Sequence, residues 1–178
     1  MASPAQIPEK KPGYVPVELY LHSAEWEPDA EYVDGEIEER PVGEYDHSSW
    51  QHAISTWFQQ HAKDWNIRVR PELRIQVAAT RFRIPDVTIL DRDQPTEQII
   101  TQPPVAVFEV LSPEDRHARF QRKLRDYEAM GISQIWVIDP EGPVIQRFQD
   151  GHLSAISHFE DAARGIRFQM QAIQDLLD

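Results

Sequence analysis

The chain has no cysteine, which excludes disulfides and thiolate sites for zinc or iron–sulfur clusters; any metal must be held by carboxylates, carbonyls or histidine. It also lacks an apolar run approaching the roughly eighteen residues that cross a bilayer, so a membrane protein is not expected. Residues 1–16 have neither the continuous apolar core nor the small-residue cleavage site of a signal peptide. The cytoplasm is the expected location, and this Pro-rich stretch reads as a flexible lead-in. Basic charge is the scarcer sign: 18 Lys and Arg against 30 Asp and Glu leave a formal net charge of -12. An acidic surface repels phosphate at long range, which argues against loose adhesion to nucleic acid.

What is present reads as one folded domain over residues 17–178. A length of 178 residues, 40% hydrophobic with five Trp, suffices for one real core. The positive charge is unevenly spread. Arg68, Arg70, Arg74, Arg81 and Arg83 form one window, and Arg116, Arg119, Arg122, Lys123 and Arg125 a second, while much of the acidic excess lies between Glu18 and Asp46. The windows are either ordinary solvated faces or a local cationic groove on an acidic body.

Periodicity places the elements. "VELYLHSAEWEP" has helical spacing and is stopped by Pro28; "EYVDGEIEERPV" reads as a hairpin turning at Asp34-Gly35. Asp46 is the expected cap of a helix to about Ala62, with Trp50, Ile54, Trp57, Phe58 and His61 on one face and His47 on that face near its start. "NIRVRPELRIQVA" alternates as a strand or hairpin arm, whereas "FRIPDVTILD", "PVAVFEVLS" and "SQIWVIDP" are continuously apolar and expected to be buried strands. Ser112, Pro113 and Asp115 predict the start of a helix running to Met130 and ended by Gly131. A hairpin at Asp150-Gly151 and a short terminal helix in "AIQDLL" complete a mixed β-sheet flanked by α-helices, an α/β fold.

Two of these apolar strands each carry a carboxylate, Asp86 and Glu109. A single buried carboxylate can simply accept hydrogen bonds from arginine or backbone. Two on neighbouring strands repel, so that one takes a proton or both share a cation. Magnesium or manganese suits such an oxygen site. On the following helix, Phe120, Leu124 and Tyr127 define the apolar stripe, and Lys123 projects inside it, needing an anionic partner unless it snorkels along the helix edge.

"PD" at Pro85 and Asp86, then "FEVLSP" and "KLRDYEAMGISQIWVIDP", with "YVDGE" and the start of the His47 helix, resemble the Uma-two-type restriction endonucleases, a branch of the PD-(D/E)XK nuclease superfamily. The likeness runs from about Leu19 to Gln149. It implies a restriction-endonuclease-like fold, magnesium-dependent (or manganese-dependent) phosphodiester hydrolysis and DNA as substrate. Asp86 and Glu109 match the metal-binding acidic pair, joined by the backbone carbonyl of Val110. The superfamily's usual lysine position, two residues after the second acid, is Leu111 here. In this branch the lysine comes from the next helix, and Lys123 matches it. Arg119 stands where the family often has an acid, four residues before that lysine.

Glu36 and Glu72 are further candidate ligands, with an ordinary polar role as the alternative. His47 is either a phosphate contact or accessory base, or a structural hydrogen-bonding residue. The leading expectation is a metal-dependent DNA endonuclease acting as a homodimer, since two symmetric sites cut two strands. Two rivals stand beside it: a catalytically silent module that binds nucleic acid or a protein partner, and a small-phosphoester hydrolase.

Overall fold

The computed structural model describes residues 13–26, 30–41, 43–113, 115, 117–142 and 144–177. The lead-in up to residue 12, the expected helix stop at Pro28 and Arg116 of the second cationic window lie outside the described residues.

In chain order, α1 (Val17–His22) and a 3-10 turn (Ala24–Trp26) precede the hairpin β1 (Ala30–Val33) and β2 (Glu36–Glu39). Its turn residues Asp34 and Gly35 have φ of 51° and 99°. Both are left-handed, as a two-residue turn matched to strand twist requires. Next come α2 (Tyr45–Gln60), β3 (Ile67–Pro71), β4 (Ile75–Ala78), β5 (Arg81–Arg83), β6 (Val87–Asp91) and β7 (Ala106–Val110). The chain ends with α3 (His117–Met130), β8 (Ile135–Asp139), the hairpin β9 (Val144–Gln149) and β10 (His152–Ala155), a second small hairpin of β11 (His158–Asp161) and β12 (Ile166–Gln169), and α4 (Gln171–Gln174).

A six-stranded sheet runs in the order β10-β9-β8-β7-β6-β3. Only β7 and β8 are parallel within it, and α3 is the crossover that joins them. The sheet is covered on both sides, which explains its continuously apolar strands. Ala106, Phe108 and Val110 of β7 face the core under α2 with Ile54, Phe58 and Trp136. Val107 faces the opposite core with Phe120, Leu124 and Tyr127 of α3. By that alternation Glu109 also lies on the α3 side.

A four-stranded sheet, β2-β1-β5-β4, packs beside it. Two sequence segments expected as single units are therefore divided. "NIRVRPELRIQVA" turns at Glu72, whose φ is 51°, so β3 joins the large sheet and β4 the small one. "FRIPDVTILD" breaks between Arg83 and Val87, so Asp86 sits where the chain crosses from one sheet to the other.

Two caps differ from expectation. Glu44 is the N-cap of α2, without a side-chain cap bond. Asp46 lies within the first turn, where its charge faces the positive end of the helix dipole. At α3 the Ser112 N–H does donate to Asp115, at 2.8 Å, and the Asp115 N–H returns to the Ser112 carbonyl. This closes a separate turn, and the helix starts at His117. Gly131, at φ 98°, ends α3 as predicted, with the Ile132 N–H reaching back to the Tyr127 carbonyl at 3.2 Å.

Candidate active site

Asp86 is buried and saturated. Its Oδ1 accepts from Arg40 Nη2 at 2.7 Å, and its Oδ2 accepts the Val110 N–H at 2.7 Å and lies 3.3 Å from His47 Nε2. The side chain thus stands in for a ladder partner just beyond the last β6–β7 pair, Val87 with Phe108. Its backbone carbonyl accepts from Gln51 Nε2 and from the Glu72 N–H. Burial alone would raise its pKa. The His47 hydrogen bond and the charges of Lys123, His47 and Arg40 outweigh that and hold it below the usual range.

Glu109 is met from α3. Lys123 Nζ lies 2.8 Å from its Oε1, and the Tyr127 hydroxyl donates to Oε1 at 2.6 Å. The same Nζ is 2.8 Å from Glu31 Oε1. One ammonium therefore serves two carboxylates, and their response differs. Burial, with Asp86 and Glu31 adding to it against Lys123, raises Glu109 to about 7. Glu31, despite burial, stays below the ordinary range because Lys123 and Arg83 both face it. Burial also works against the charge of Lys123, but Glu109 and Glu31 overcome it and its pKa rises.

Asp86, Glu109, Lys123, Glu31, Arg40 and His47 line a small polar cleft of about 40 Å³ together with Ser112, Asp115 and Arg119. Of the residues the sequence nominated, Asp86, Glu109, Val110, Lys123 and His47 converge on it. Glu36 does not: it is exposed at the start of β2. Glu72 is half-exposed and 4.0 Å from Arg40 at its closest. Trp50 and Trp136 are in the core, as their spacing predicts.

Sequence reading missed the charge lattice behind the cleft. Arg83, 0% exposed, contacts Glu31 at 2.9 Å, Glu38 at 2.7 Å and Asp126 at 2.7 Å. Asp126 also holds Arg81, which reaches Asp34 in the hairpin turn. Glu38 gathers Arg119 and Arg122. Alternating signs thus run from Asp34 through Arg81, Asp126, Arg83 and Glu31 to Lys123 and Glu109. Among the described residues, Arg68, Arg81, Arg83, Arg119, Arg122 and Lys123 of the two cationic windows are engaged by internal partners. The available signals were Glu31, which alternates with apolar Ala30 and Tyr32, and Asp126, one helical turn from Lys123.

A family model described as "Putative restriction endonuclease" matches residues 17–168. The chain belongs to the Uma2 family. A crystal structure of "a putative nuclease belonging to DUF820 from Anabaena variabilis ATCC 29413" is similar to this Uma2 chain with a TM-score of 0.75 and 18% identity. The match covers 90% of this chain and 98% of that one, and at this identity it shows the shared fold. A DrdV–DNA complex is similar at a TM-score of 0.44 and 19% identity, over 73% of this chain and 11% of that chain. No curated protein matches.

Among the described residues, no three Asp, Glu or His side chains are gathered as a ready ion cage. The donor set nonetheless fits a hard divalent cation. Two carboxylates and a backbone carbonyl are what magnesium takes while keeping several waters. The cleft sets the carboxylates of Glu31, Asp86, Glu109 and Asp115 beside Arg40, Arg119 and Lys123, and burial is the main cause that raises Glu109 to about 7. No helix among the described residues is long and apolar enough to cross a membrane.

Proposed function

We propose that this protein is a metal-dependent DNA endonuclease of the PD-(D/E)XK type, with residues 17–178 as one nuclease domain. The observation that carries the reading is the convergence of Asp86, Glu109 and Lys123 on one cleft, with Lys123 Nζ 2.8 Å from Glu109. Asp86, Glu109 and the Val110 carbonyl would hold magnesium or manganese, which supplies Lewis-acid polarisation of the phosphate and a lowered pKa for the attacking water.

The chain's own groups perform the remaining tasks. Lys123, kept protonated by two carboxylates, orients the water and offsets charge developing on the phosphoryl oxygens. Tyr127 fixes the Glu109 carboxylate by donating to it. Arg40 and His47 hold Asp86 in its rotamer. Arg119, which lines the cleft and is partly exposed, is the natural phosphate contact at the position where the family often carries an acid. Glu31, 2.8 Å from Lys123 Nζ, is the further carboxylate at the cleft. A homodimer in the cytoplasm, cutting both strands with two such sites, completes the proposal.

The silent-module reading is favoured by one observation: protein donors already occupy both carboxylates. Supercoiled plasmid incubated with magnesium or manganese, against EDTA and against Glu109→Gln, separates the two. Metal-dependent nicking that disappears in the variant supports the endonuclease. Binding of DNA without cleavage, unchanged in the variant, supports the module. Turnover of small phosphoesters that long DNA does not inhibit would point to the third class.

A further inference from the structure

Three hollows share walls along one surface. The catalytic cleft shares His47 and Ser112 with a neighbouring cavity of about 250 Å³. That cavity shares Asp46 and Pro140 with a third, of about 420 Å³, bounded by Tyr45 and Trp50. The line therefore leads from Asp86 and Glu109, past the first turn of α2, to Tyr45.

The chemistry changes sharply along it. The cleft presents Arg40, Arg119 and Lys123. The middle cavity presents Glu44, Asp46, Asp139 and Glu141 and, among the described residues, neither lysine nor arginine. Its remaining walls include Leu111, Pro113 and Pro140, which offer apolar surface. At the far lip Tyr45 is 75% exposed, the most exposed large hydrophobic residue of the described chain.

A polynucleotide alternates the same two chemistries. Its phosphate is anionic and suits the cleft, where Arg40, Arg119 and Lys123 stand beside the carboxylates of Glu31, Asp86, Glu109 and Asp115. The middle cavity would repel a second phosphate, but it suits a base, whose ring lies on apolar walls and whose exocyclic amino groups donate to carboxylates. A paired base fits it poorly: one amino hydrogen stays free in the major groove, but the ring faces are stacked and cannot lie on the apolar walls, and the opposite strand would bring phosphates towards the four carboxylates. An exposed tyrosine beside such a pocket is a stacking platform that accepts any base.

Resting on the nuclease reading above, we propose that the middle cavity is a subsite for one unpaired nucleobase next to the scissile phosphate, with Tyr45 stacking the base that follows. The substrate is then single-stranded or locally unpaired DNA, not an unbroken duplex. The unpaired base is presented directly by a single strand, whereas a duplex must first extrude it.

The test compares one oligonucleotide as a single strand, as a perfect duplex and as a duplex with a central unpaired stretch, each with magnesium or manganese. Wild type is set beside Tyr45→Ala and Tyr45→Phe. Cleavage of the single strand and of the unpaired stretch at least tenfold faster than of the duplex is expected. Tyr45→Ala lowers kcat/KM on the single strand roughly tenfold, as loss of one stacked base does, and Tyr45→Phe restores it. In parallel, a single strand containing 2-aminopurine is titrated with each protein, with fluorescence quenching expected for wild type and Tyr45→Phe and lost in Tyr45→Ala. Equal or faster cutting of the perfect duplex, or quenching indifferent to Tyr45→Ala, overturns the subsite. Tyr45-dependent quenching without any cutting would instead sink the nuclease reading while leaving the subsite standing.

Discussion

Lys123 on α3 and Glu31 on β1 meet at 2.8 Å, although they lie far apart in the chain and in different layers. The same ammonium touches Glu109 at 2.8 Å. The lysine is therefore both the expected catalytic cation and the tie between the small sheet and the large one.

Replacing it exposes both roles. Lys123→Met leaves Glu31 and Glu109 buried without their shared cation. Removing one partner of a buried pair costs about 3–5 kcal/mol. Urea unfolding should report a loss in that range, and plasmid nicking should fall below detection. A variant as stable and as active as wild type would contradict the assignment.

Arg83 makes a stronger structural demand. It is fully buried among Glu31, Glu38 and Asp126. Arg83→Met should destabilise by at least as much as Lys123→Met. Arg83→Lys should recover only part, because an ammonium cannot reproduce the planar fork that reaches three carboxylates. Paired urea melts of the two variants give the comparison, and full recovery by lysine would show that the fork is dispensable.

The protonation of Glu109 makes metal binding pH-dependent. Burial, with Asp86 and Glu31 adding, raises its folded-state pKa from the ordinary 4.5 to about 7. Stability from this group is then fully present below the unfolded value and lost as pH rises through 7. The metal-free protein should lose thermal stability as pH rises from 4.5 to about 7 and level off above that, with a larger change than Glu109→Gln shows. A divalent cation competes with the proton, so the Tm increase produced by magnesium should be larger at pH 8 than at pH 6. A magnesium shift equal at both pH values would contradict the assignment of Glu109 as a ligand.

The β1–β2 turn offers a test away from the cleft. Gly35 has φ 99°, and a Cβ there would overlap the Tyr14 ring at Cδ2. A non-glycine residue in such a conformation costs about 1–3 kcal/mol, and displacement of the Tyr14 ring adds to it. Gly35→Ala should therefore lower Tm, and combining it with Tyr14→Ala should cost less than the sum of the two. Strict additivity would mean that the ring moves aside freely.

Much of the site was legible because its residues break local patterns. Asp86 and Glu109 interrupt apolar strands, and Lys123 interrupts an apolar helical stripe; each violates the rule that buried positions are uncharged, and that violation is visible in one dimension. Glu31 and Arg83, each between two apolar residues, and Arg40, in a polar stretch, were not singled out as site residues because a charge alternating with apolar residues reads as the wet side of a strand. Their burial results from the small sheet closing over the large one. The division of "FRIPDVTILD" between two sheets was hidden for a related reason: a continuous apolar run looks the same whether one strand or two cover it.

The sequence by itself determined the α/β class, both Asp-Gly hairpins and the Gly131 helix stop, and it singled out two carboxylates and a lysine that the fold brings to one cleft. These follow from periodicity, turn chemistry and the cost of burying charge, all of which act within a few residues. Only the tertiary structure decided which carboxylate shares Lys123 with Glu109, that Glu31 lines the cleft and Glu36 does not, and that Arg83 is enclosed by three acids. Those outcomes depend on Coulomb energies across contacts of about 3 Å in a low-dielectric interior, and such contacts join residues whose separation along the chain carries no record of their meeting.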